Sequence, residues 1–130
     1  MKGAIEKIEQ IVPNAAKEGH VWLTERGSSF GYGRLVVDMT SLVEMRRFGC
    51  PVVFDATHSV QQPSSQTGIT GGNREMVPYL MRAALAVGVD GLFIETRPNP
   101  DEAISDAANQ VRLKDMKTLL EQALELDKLK

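Results

Sequence analysis

The chain has 130 residues, of which 42% are hydrophobic and 25% are charged, and its formal net charge at pH 7 is -2. This length suits one domain with a substantial core, and the small net charge gives no reason to expect a nucleic-acid partner. No apolar stretch approaches the ~20 residues of a membrane helix, and the first residues do not resemble a signal peptide. The single cysteine, Cys50, cannot form an internal disulfide, which indicates a reduced, cytoplasmic compartment.

The first predicted elements are a helix over residues 2–11 and a buried strand over residues 20–26. The helix ends before Pro13 and places its apolar residues on one stripe. That stripe consists of Ala4, Ile5, Ile8, Ile11 and Val12. A second predicted helix ends at Gly49, and its apolar residues recur at three-residue steps. They are Leu42, Met45 and Phe48.

The middle of the chain predicts a second strand over residues 51–58 and a longer helix that ends at Gly88. Asn73 is the candidate cap of this helix, and Pro78 falls in its first turns, where proline is tolerated. Its predicted buried face consists of Val77, Leu80, Met81, Ala84 and Leu85. The polar, glycine-containing segment 59–75 is typical of a lid or binding loop, with plain disorder as the alternative.

The last predicted elements are a third strand over residues 91–97 and a C-terminal helix with lysine and glutamate on its outer face. The inner face of that helix is predicted to consist of Leu113, Met116, Leu120 and Leu124. Apolar strands that alternate with helices indicate a parallel α/β sheet whose strands are buried on both faces.

The spacing of these units favours part of a TIM (β/α)8 barrel, with about three parallel strands and their helices. The βα units recur at roughly 30 to 40 residues, as in a barrel of about 250 residues. Residues 1–130 are therefore interpreted as one partial barrel domain. A small doubly wound domain is the alternative, but the segment TERGSSFGYG lacks the spacing of a dinucleotide-binding turn.

Polar residues follow the carboxyl ends of all three predicted strands. Glu25 and Arg26 follow the first strand, Asp55 and His58 lie at the end of the second, and Glu95 lies at the end of the third. In a parallel barrel these ends meet on the face that carries the active site. Arg26 offers a fork of donors that suits carboxylate or phosphate, and a surface ion pair with Glu25 is the alternative.

His58, Glu95 and Asp106 form a candidate ligand set for a divalent metal ion. Imidazole and carboxylate ligands suit Zn, Fe or Mn. Their spacing matches no compact metal motif, however. Each residue also has an alternative role. His58 could be a hydrogen-bonded structural histidine, Glu95 a salt-bridge partner, and Asp106 a helix cap or surface acid. The residue types alone therefore leave the metal site open.

Four segments resemble the C-terminal half of 3-deoxy-D-manno-octulosonate 8-phosphate synthase, also called 2-dehydro-3-deoxyphosphooctonate aldolase. They are LTERGSSFGYGRLVVDM, CPVVFDATHSVQ, GGNREMVPYLMRAALAVGVDGLFIET and AISDAANQ. The resemblance implies a transferase that condenses phosphoenolpyruvate with D-arabinose 5-phosphate for lipopolysaccharide biosynthesis. It also implies that the chain is the C-terminal portion of a longer enzyme that assembles as a tetramer.

The resemblance assigns roles to individual residues. It implies that Arg26 binds phosphoenolpyruvate and that Gln61 lies beside the sugar phosphate. His58, Glu95 and Asp106 match the metal ligands of the family, and His58 is the candidate catalytic residue.

The comparison with the family also covers Gln110, three departures from the family's usual residues, and site residues that this chain lacks. Gln110 follows Asp106 by four residues, as in metal-dependent members of the family. Gly33, Arg34 and Arg97 depart from the family's usual residues, which bears on local substrate geometry. A cysteine ligand, the lysines for phosphoenolpyruvate and the loop for the pentose phosphate are expected outside this chain.

Two other functions stay open. The related 3-deoxy-7-phosphoheptulonate synthase shares ERG- and SDA-type segments, but it reads more like DPSHATG where this chain has DATHSVQ. The second is a non-catalytic fragment that associates with itself, because an open parallel sheet leaves edges and apolar faces uncovered.

Overall fold

The computed structural model describes residues 1–63 and 71–128, and its helices and strands alternate along the chain. The helices are α1 (Lys2–Glu9), α2 (Met39–Arg46), α3 (Val77–Val87) and α4 (Met116–Asp127). The strands are β1 (Leu23–Glu25), β2 (Ser28–Ser29), β3 (Leu35–Val36), β4 (Val52–Asp55), β5 (Gln61–Gln62), β6 (Gly71–Gly72), β7 (Gly91–Phe93), β8 (Thr96–Arg97) and β9 (Val111–Arg112). Short 3-10 helices cover His58–Val60, Arg74–Met76, Pro100–Glu102 and Leu113–Asp115.

The main sheet consists of three parallel strands in the order β1-β4-β7, with β4 in the centre. Leu23 pairs with Val52, and Phe54 pairs with both Glu25 and Leu92. The short strands form separate two-stranded ladders, which are β2 with β3, β5 with β6, and β8 with β9. The predicted α/β class, with parallel strands that alternate with helices, is therefore confirmed.

The core lies between the helices and one face of this sheet. Leu23, Val52 and Phe54 point into it, and Leu42 of α2 and Met81 of α3 are buried against them. Burial of a side chain of this size stabilises a fold by roughly 1.5–3 kcal/mol.

The prediction that the strands are buried on both faces is wrong for this chain. Trp22, Val53 and Phe93 line an open cavity of about 650 Å³ on the face opposite the core. Trp22 is 68% exposed and Phe93 is 47% exposed. α2 contacts β1 and β4 and packs against α3, so both helices lie on the core side of the sheet and leave the other face open.

The predicted strands are correctly placed but too long. The ladder between β1 and β4 has partners only for residues 23–25, so Trp22 and Arg26 lie outside it. β4 ends at Asp55, whose side chain accepts the N–H groups of Thr57 and His58 and turns the chain. The third predicted strand divides into β7 and β8, because residues 96–97 pair with β9 instead.

The ends of α3 follow the sequence prediction. Oδ1 of Asn73 accepts the N–H of Glu75 at 3.2 Å, which caps the short 3-10 turn that leads into the helix. The helix stops at Gly88, whose φ of 100° is open to glycine and strained for other residues. Four of the five predicted face residues are buried, and Leu80 is half-buried.

The predicted inner faces of the two terminal helices need correction. In α4, Leu119 and Ala123 are buried, whereas Leu120 and Leu124 are 48% and 65% exposed. Both stripes are apolar, so periodicity alone could not decide which one packs on α3. In α1 only Ile5 is buried, and the helix ends at Glu9, before the predicted limit of residue 11.

Three further predictions concern Cys50, membrane-spanning helices and the loop 59–75. Cys50 is 5% exposed, as expected for a small apolar residue, and burial raises the pKa of its thiol. Within the described residues, no helix has the length and hydrophobicity needed to cross a bilayer. The predicted loop 59–75 is described only at its two ends, where β5 and β6 pair, and residues 64–70 lie outside the described residues.

Replacing Phe54 with alanine tests the assignment of the core. Phe54 is 0% exposed, so Phe54→Ala should lower the free energy of unfolding by about 3–5 kcal/mol. Phe30→Ala is the matched control, since Phe30 is 74% exposed and its loss should change stability by less than about 0.5 kcal/mol. Urea denaturation followed by circular dichroism measures both values. Equal losses for the two variants would contradict this core.

Candidate metal and anion site

The parallel strands bring polar side chains together at one edge of the sheet. Arg26 directly follows β1, His58 opens the turn after β4, and Glu95 lies just beyond β7. Because these three strands run in the same direction, their carboxyl ends face the same way. Gln61 and Asp106 reach the same place from the segments that follow β4 and β8.

Asp55 fixes the orientation of the His58 ring. Its Oδ1 accepts the N–H groups of Thr57 at 3.1 Å and of His58 at 2.8 Å. Its Oδ2 lies 2.8 Å from Nδ1 of His58. Because a carboxylate only accepts, Nδ1 carries the hydrogen, and in the neutral ring Nε2 presents its lone pair to the site. Asp55 is 6% exposed, which shields this contact from water.

Glu95 is held by its backbone and by its side chain. Its N–H donates to Oγ1 of the buried Thr57 at 2.7 Å, and its C=O accepts the N–H of Val111 at 3.0 Å. Its Oε1 accepts from Nε2 of the buried Gln110 at 2.9 Å. Its Oε2 then lies 3.6 Å from Nε2 of His58.

Asp106 enters the site from an irregular segment. Its φ of 54° lies in the left-handed region, which few residues other than glycine adopt and which aspartate tolerates better than most. Its C=O accepts the N–H groups of Asn109 at 2.9 Å and of Gln110 at 3.0 Å. Its Oδ1 accepts from Nε2 of Gln61 at 2.6 Å and from Nδ2 of Asn109 at 3.3 Å.

His58, Glu95 and Asp106 form a group of potential metal ligands. Each offers one ligand atom, and these atoms lie within 4.8 Å of one another. Two ligands of a tetrahedral ion, each bound at ~2.1 Å, are about 3.4 Å apart, so the 3.6 Å between His58 and Glu95 suits a shared ion. One imidazole and two carboxylates are ligands that Zn, Fe or Mn accept. The residues therefore fit a divalent transition metal.

Arg26 is connected to this group through the side-chain amide of Gln61. Nη2 of Arg26 donates to Oε1 of Gln61 at 2.6 Å, and Nε2 of the same amide donates to Asp106. A guanidinium only donates and a carboxylate only accepts, so a single orientation of the amide satisfies both partners. Arg26 is exposed, which leaves its other donors open to an anion.

The carboxylate of Glu25 binds Gly27 and Ser41 and not Arg26. Its Oε1 accepts the N–H of Gly27 at 2.5 Å, and its Oε2 accepts the hydroxyl of Ser41 at 2.5 Å. These contacts connect the end of β1 to α2. Glu25 and Arg26 therefore do not form the surface ion pair that the sequence left as an alternative.

The structure brings together the residues that the sequence singled out. They are Arg26, His58, Gln61, Glu95 and Asp106. Sequence reasoning assigned no role to the supporting residues Thr57 and Asn109, both of which are fully buried. A polar residue within a polar segment gives no periodic signal, so only the three-dimensional arrangement reveals their burial.

The fold and this site define a class of α/β proteins whose functional groups gather at the carboxyl ends of parallel strands. The sequence model of the DAHP synthetase I family matches residues 1–130, and the chain belongs to this family.

Individual relatives carry a more specific name. The 2-dehydro-3-deoxyphosphooctonate aldolase of Leptothrix cholodnii is 56% identical over 130 residues, which are 99% of this chain and 46% of the relative. The protein of the same name from Helicobacter hepaticus is 59% identical over 109 residues, which are 84% of this chain and 40% of the relative. The resemblance inferred from the sequence is confirmed, and the chain spans about half the length of the curated relatives it matches.

Removal of the imidazole tests the metal site. We expect His58→Ala to weaken binding of Zn²⁺ or Mn²⁺ by more than about 100-fold, since even outer-shell changes cost roughly 10–100-fold. His20→Ala is the matched control, because His20 is the other histidine, is exposed, and precedes the amino end of β1, away from the carboxyl ends of the strands. Calorimetric titration and elemental analysis measure the effect. Unchanged metal content in His58→Ala would remove His58 from the ligand set.

Proposed function

We propose that this chain carries part of the active site of a synthase for lipopolysaccharide biosynthesis. The reaction condenses phosphoenolpyruvate with D-arabinose 5-phosphate and yields 3-deoxy-D-manno-octulosonate 8-phosphate and phosphate. The observation that carries the proposal is the connection of His58, Glu95 and Asp106 to Arg26 through Gln61. This connection places the candidate metal ligands beside the guanidinium of Arg26, whose positive charge suits an anionic substrate. The names of the relatives point to the same product.

In this proposal residues 1–130 form one partial domain of a TIM (β/α)8 barrel. The parallel order β1-β4-β7 and the helices on one face support it. The open face with Trp22, Val53 and Phe93 would line the interior of the closed barrel. The rest of such a barrel would cover this apolar face and both outer strands.

Arg26 and Gln61 act on the substrates in this account. The guanidinium of Arg26 can donate two parallel hydrogen bonds to a carboxylate or phosphate of phosphoenolpyruvate. When Arg26 turns to this anion, Oε1 of Gln61 becomes available to a hydroxyl group of the sugar phosphate. Nε2 of Gln61 keeps its bond to Asp106 meanwhile.

His58, Glu95 and Asp106 would hold a divalent ion such as Zn, Fe or Mn, and the bound ion supplies Lewis-acid polarisation of the aldehyde or of a water. Asp55 keeps the ring hydrogen on Nδ1, so His58 binds through Nε2. Gln110 turns Oε2 of Glu95 toward the same point. These two supports orient the ligands before substrates arrive.

A 3-deoxy-7-phosphoheptulonate synthase-like enzyme is the second candidate, and the family description favours it. The two reactions differ in the acceptor. An eight-carbon product needs a five-carbon aldose phosphate in addition to the three carbons of phosphoenolpyruvate, whereas a seven-carbon product needs a four-carbon one. The names of the relatives favour the eight-carbon product.

A fragment that associates with itself or with another polypeptide is the third candidate. Its support is the large apolar side chains on the surface of the described residues, among them Phe30 and Tyr32, which are 74% and 69% exposed. The two aromatic rings stack with centroids 6.1 Å apart. A tetramer in the cytoplasm is the assembly and location that we propose for the complete enzyme.

A reaction assay separates these candidates. We expect release of inorganic phosphate from phosphoenolpyruvate and D-arabinose 5-phosphate when the chain is combined with the part of the Leptothrix cholodnii relative that it does not match. A four-carbon aldose phosphate should react more slowly. The control is the same mixture with His58→Ala, which should be inactive. Phosphate release from neither acceptor, with the mixture correctly assembled, would contradict the synthase.

Arg26→Lys tests the anion site in the same mixture. Lysine keeps the charge but lacks the planar fork, so the KM for phosphoenolpyruvate should rise about 10-fold or more. Arg47→Lys is the matched control, since Arg47 is also exposed and lies at the end of α2, before β4 begins and away from the carboxyl ends of the strands. Steady-state kinetics give both values. An unchanged KM for Arg26→Lys would place the anion elsewhere.

A further inference from the structure

We propose that Arg74 is a positioning residue that holds Asp106 in the metal site from outside that site. The inference rests on the proposed function, because it requires Asp106 to be a metal ligand. Arg74 lies in the short 3-10 turn before α3, 32 positions earlier in the chain than Asp106.

Arg74 binds the segment directly after Asp106 with both its backbone and its side chain. Its N–H donates to the C=O of Ala108 at 3.0 Å, and its Nη2 donates to the C=O of Ala107 in a short hydrogen bond. The same Nη2 donates to Oδ1 of Asp101 at 2.6 Å. Arg74 therefore binds three residues that flank Asp106, one before it and two after it.

Asp106 needs such support because no regular ladder holds it. It lies between the 3-10 turn of Pro100–Glu102 and β9, in the left-handed conformation. A residue in this sparsely populated region stays there only when its surroundings hold it. Both flanking contacts of Arg74 limit the freedom of this turn.

Asp101 in turn fixes the guanidinium of Arg74. Its second oxygen, Oδ2, accepts from Nη2 of Arg112 at 3.3 Å, so one carboxylate joins two arginines. These hydrogen bonds, that of Arg74 first, lower the pKa of the Asp101 carboxyl. The side chain of Arg74 is only 19% exposed, whereas that of Arg112 is 42% exposed.

Gly72, in the same segment, leaves the space that a second support of Asp106 occupies. A Cβ atom at Gly72 would lie 1.4 Å from Oδ1 of Asn109, so the close approach of Asn109 requires glycine at this position. Asn109 is fully buried and donates to Oδ1 of Asp106 at 3.3 Å. Gly72 and Arg74 thus support Asp106 in different ways, because Gly72 leaves room for Asn109 and Arg74 binds Ala107 and Ala108.

A double-mutant cycle tests the positioning role, with Co²⁺ affinity from calorimetry and the Co²⁺ absorption spectrum as its readouts. We expect Arg74→Ala to weaken Co²⁺ binding about 10–100-fold and to change the spectrum. In an Asp106→Ala background the same substitution should weaken binding no further. Arg74→Lys, which keeps the charge, should restore part of the affinity.

Arg112→Ala is the matched control, because Arg112 binds the same Asp101 but makes no hydrogen bond with residues 106–108 among those the structure describes. It should leave Co²⁺ affinity within about twofold. If Arg74→Ala fails to fold, Gly72→Ala tests the same support and should lower the affinity in the same way.

The outcomes separate the positioning role from the proposed function. Equal losses of Co²⁺ affinity with and without Asp106 would show a general effect on the fold and overturn the positioning role alone. Full affinity in Arg74→Ala and Gly72→Ala would also overturn it alone. Failure of the unaltered chain to bind Co²⁺ would overturn the metal site, and the positioning role with it.

Discussion

The parallel ladder of β1, β4 and β7 is the constraint on which the rest of the structure depends. Parallel strands must end on the same edge, and connecting helices must return the chain to the opposite edge. Residues that are 32 and 37 positions apart, Arg26, His58 and Glu95, therefore become neighbours. The burial of Phe54 in the centre of the ladder fixes the register that sets their distances.

Side-chain amides and carboxylates then convert this coarse placement into a defined site. Asp55 orients His58, Gln110 orients Glu95, and Gln61 joins Asp106 to Arg26. Each of these contacts has only one chemically allowed direction of donation. The candidate ligand atoms are therefore oriented by hydrogen bonds that do not depend on a bound ion, and the burial of Asp55 and Gln110 shields the bonds to His58 and Glu95 from water.

The sequence predicted those features that local patterns encode. Apolar runs located the strands, Asn73 and Gly88 bounded α3 together with the 3-10 turn that leads into it, and polar residues at strand ends located the site. The buried stripe of α4 was missed because two neighbouring stripes are both apolar and only contact with α3 separates them.

The supports of Asp106 could not be read from the sequence for a different reason. Arg74 reaches Asp101 and Ala107 over 27 and 33 positions, and neither partner belongs to a repeating pattern. The open face of the sheet could not be predicted from the sequence either. Strands that are apolar throughout predict burial on both faces, but this pattern does not tell whether the second covering layer belongs to the same polypeptide.

The most direct test of this account is an anomalous-scattering map of crystals grown with Zn²⁺, recorded at the zinc absorption edge. We expect one strong peak within bonding distance of Nε2 of His58 and of carboxylate oxygens of Glu95 and Asp106. A well-ordered site without a peak, or a peak held by other side chains while these three remain hydrogen-bonded to the protein, would contradict it.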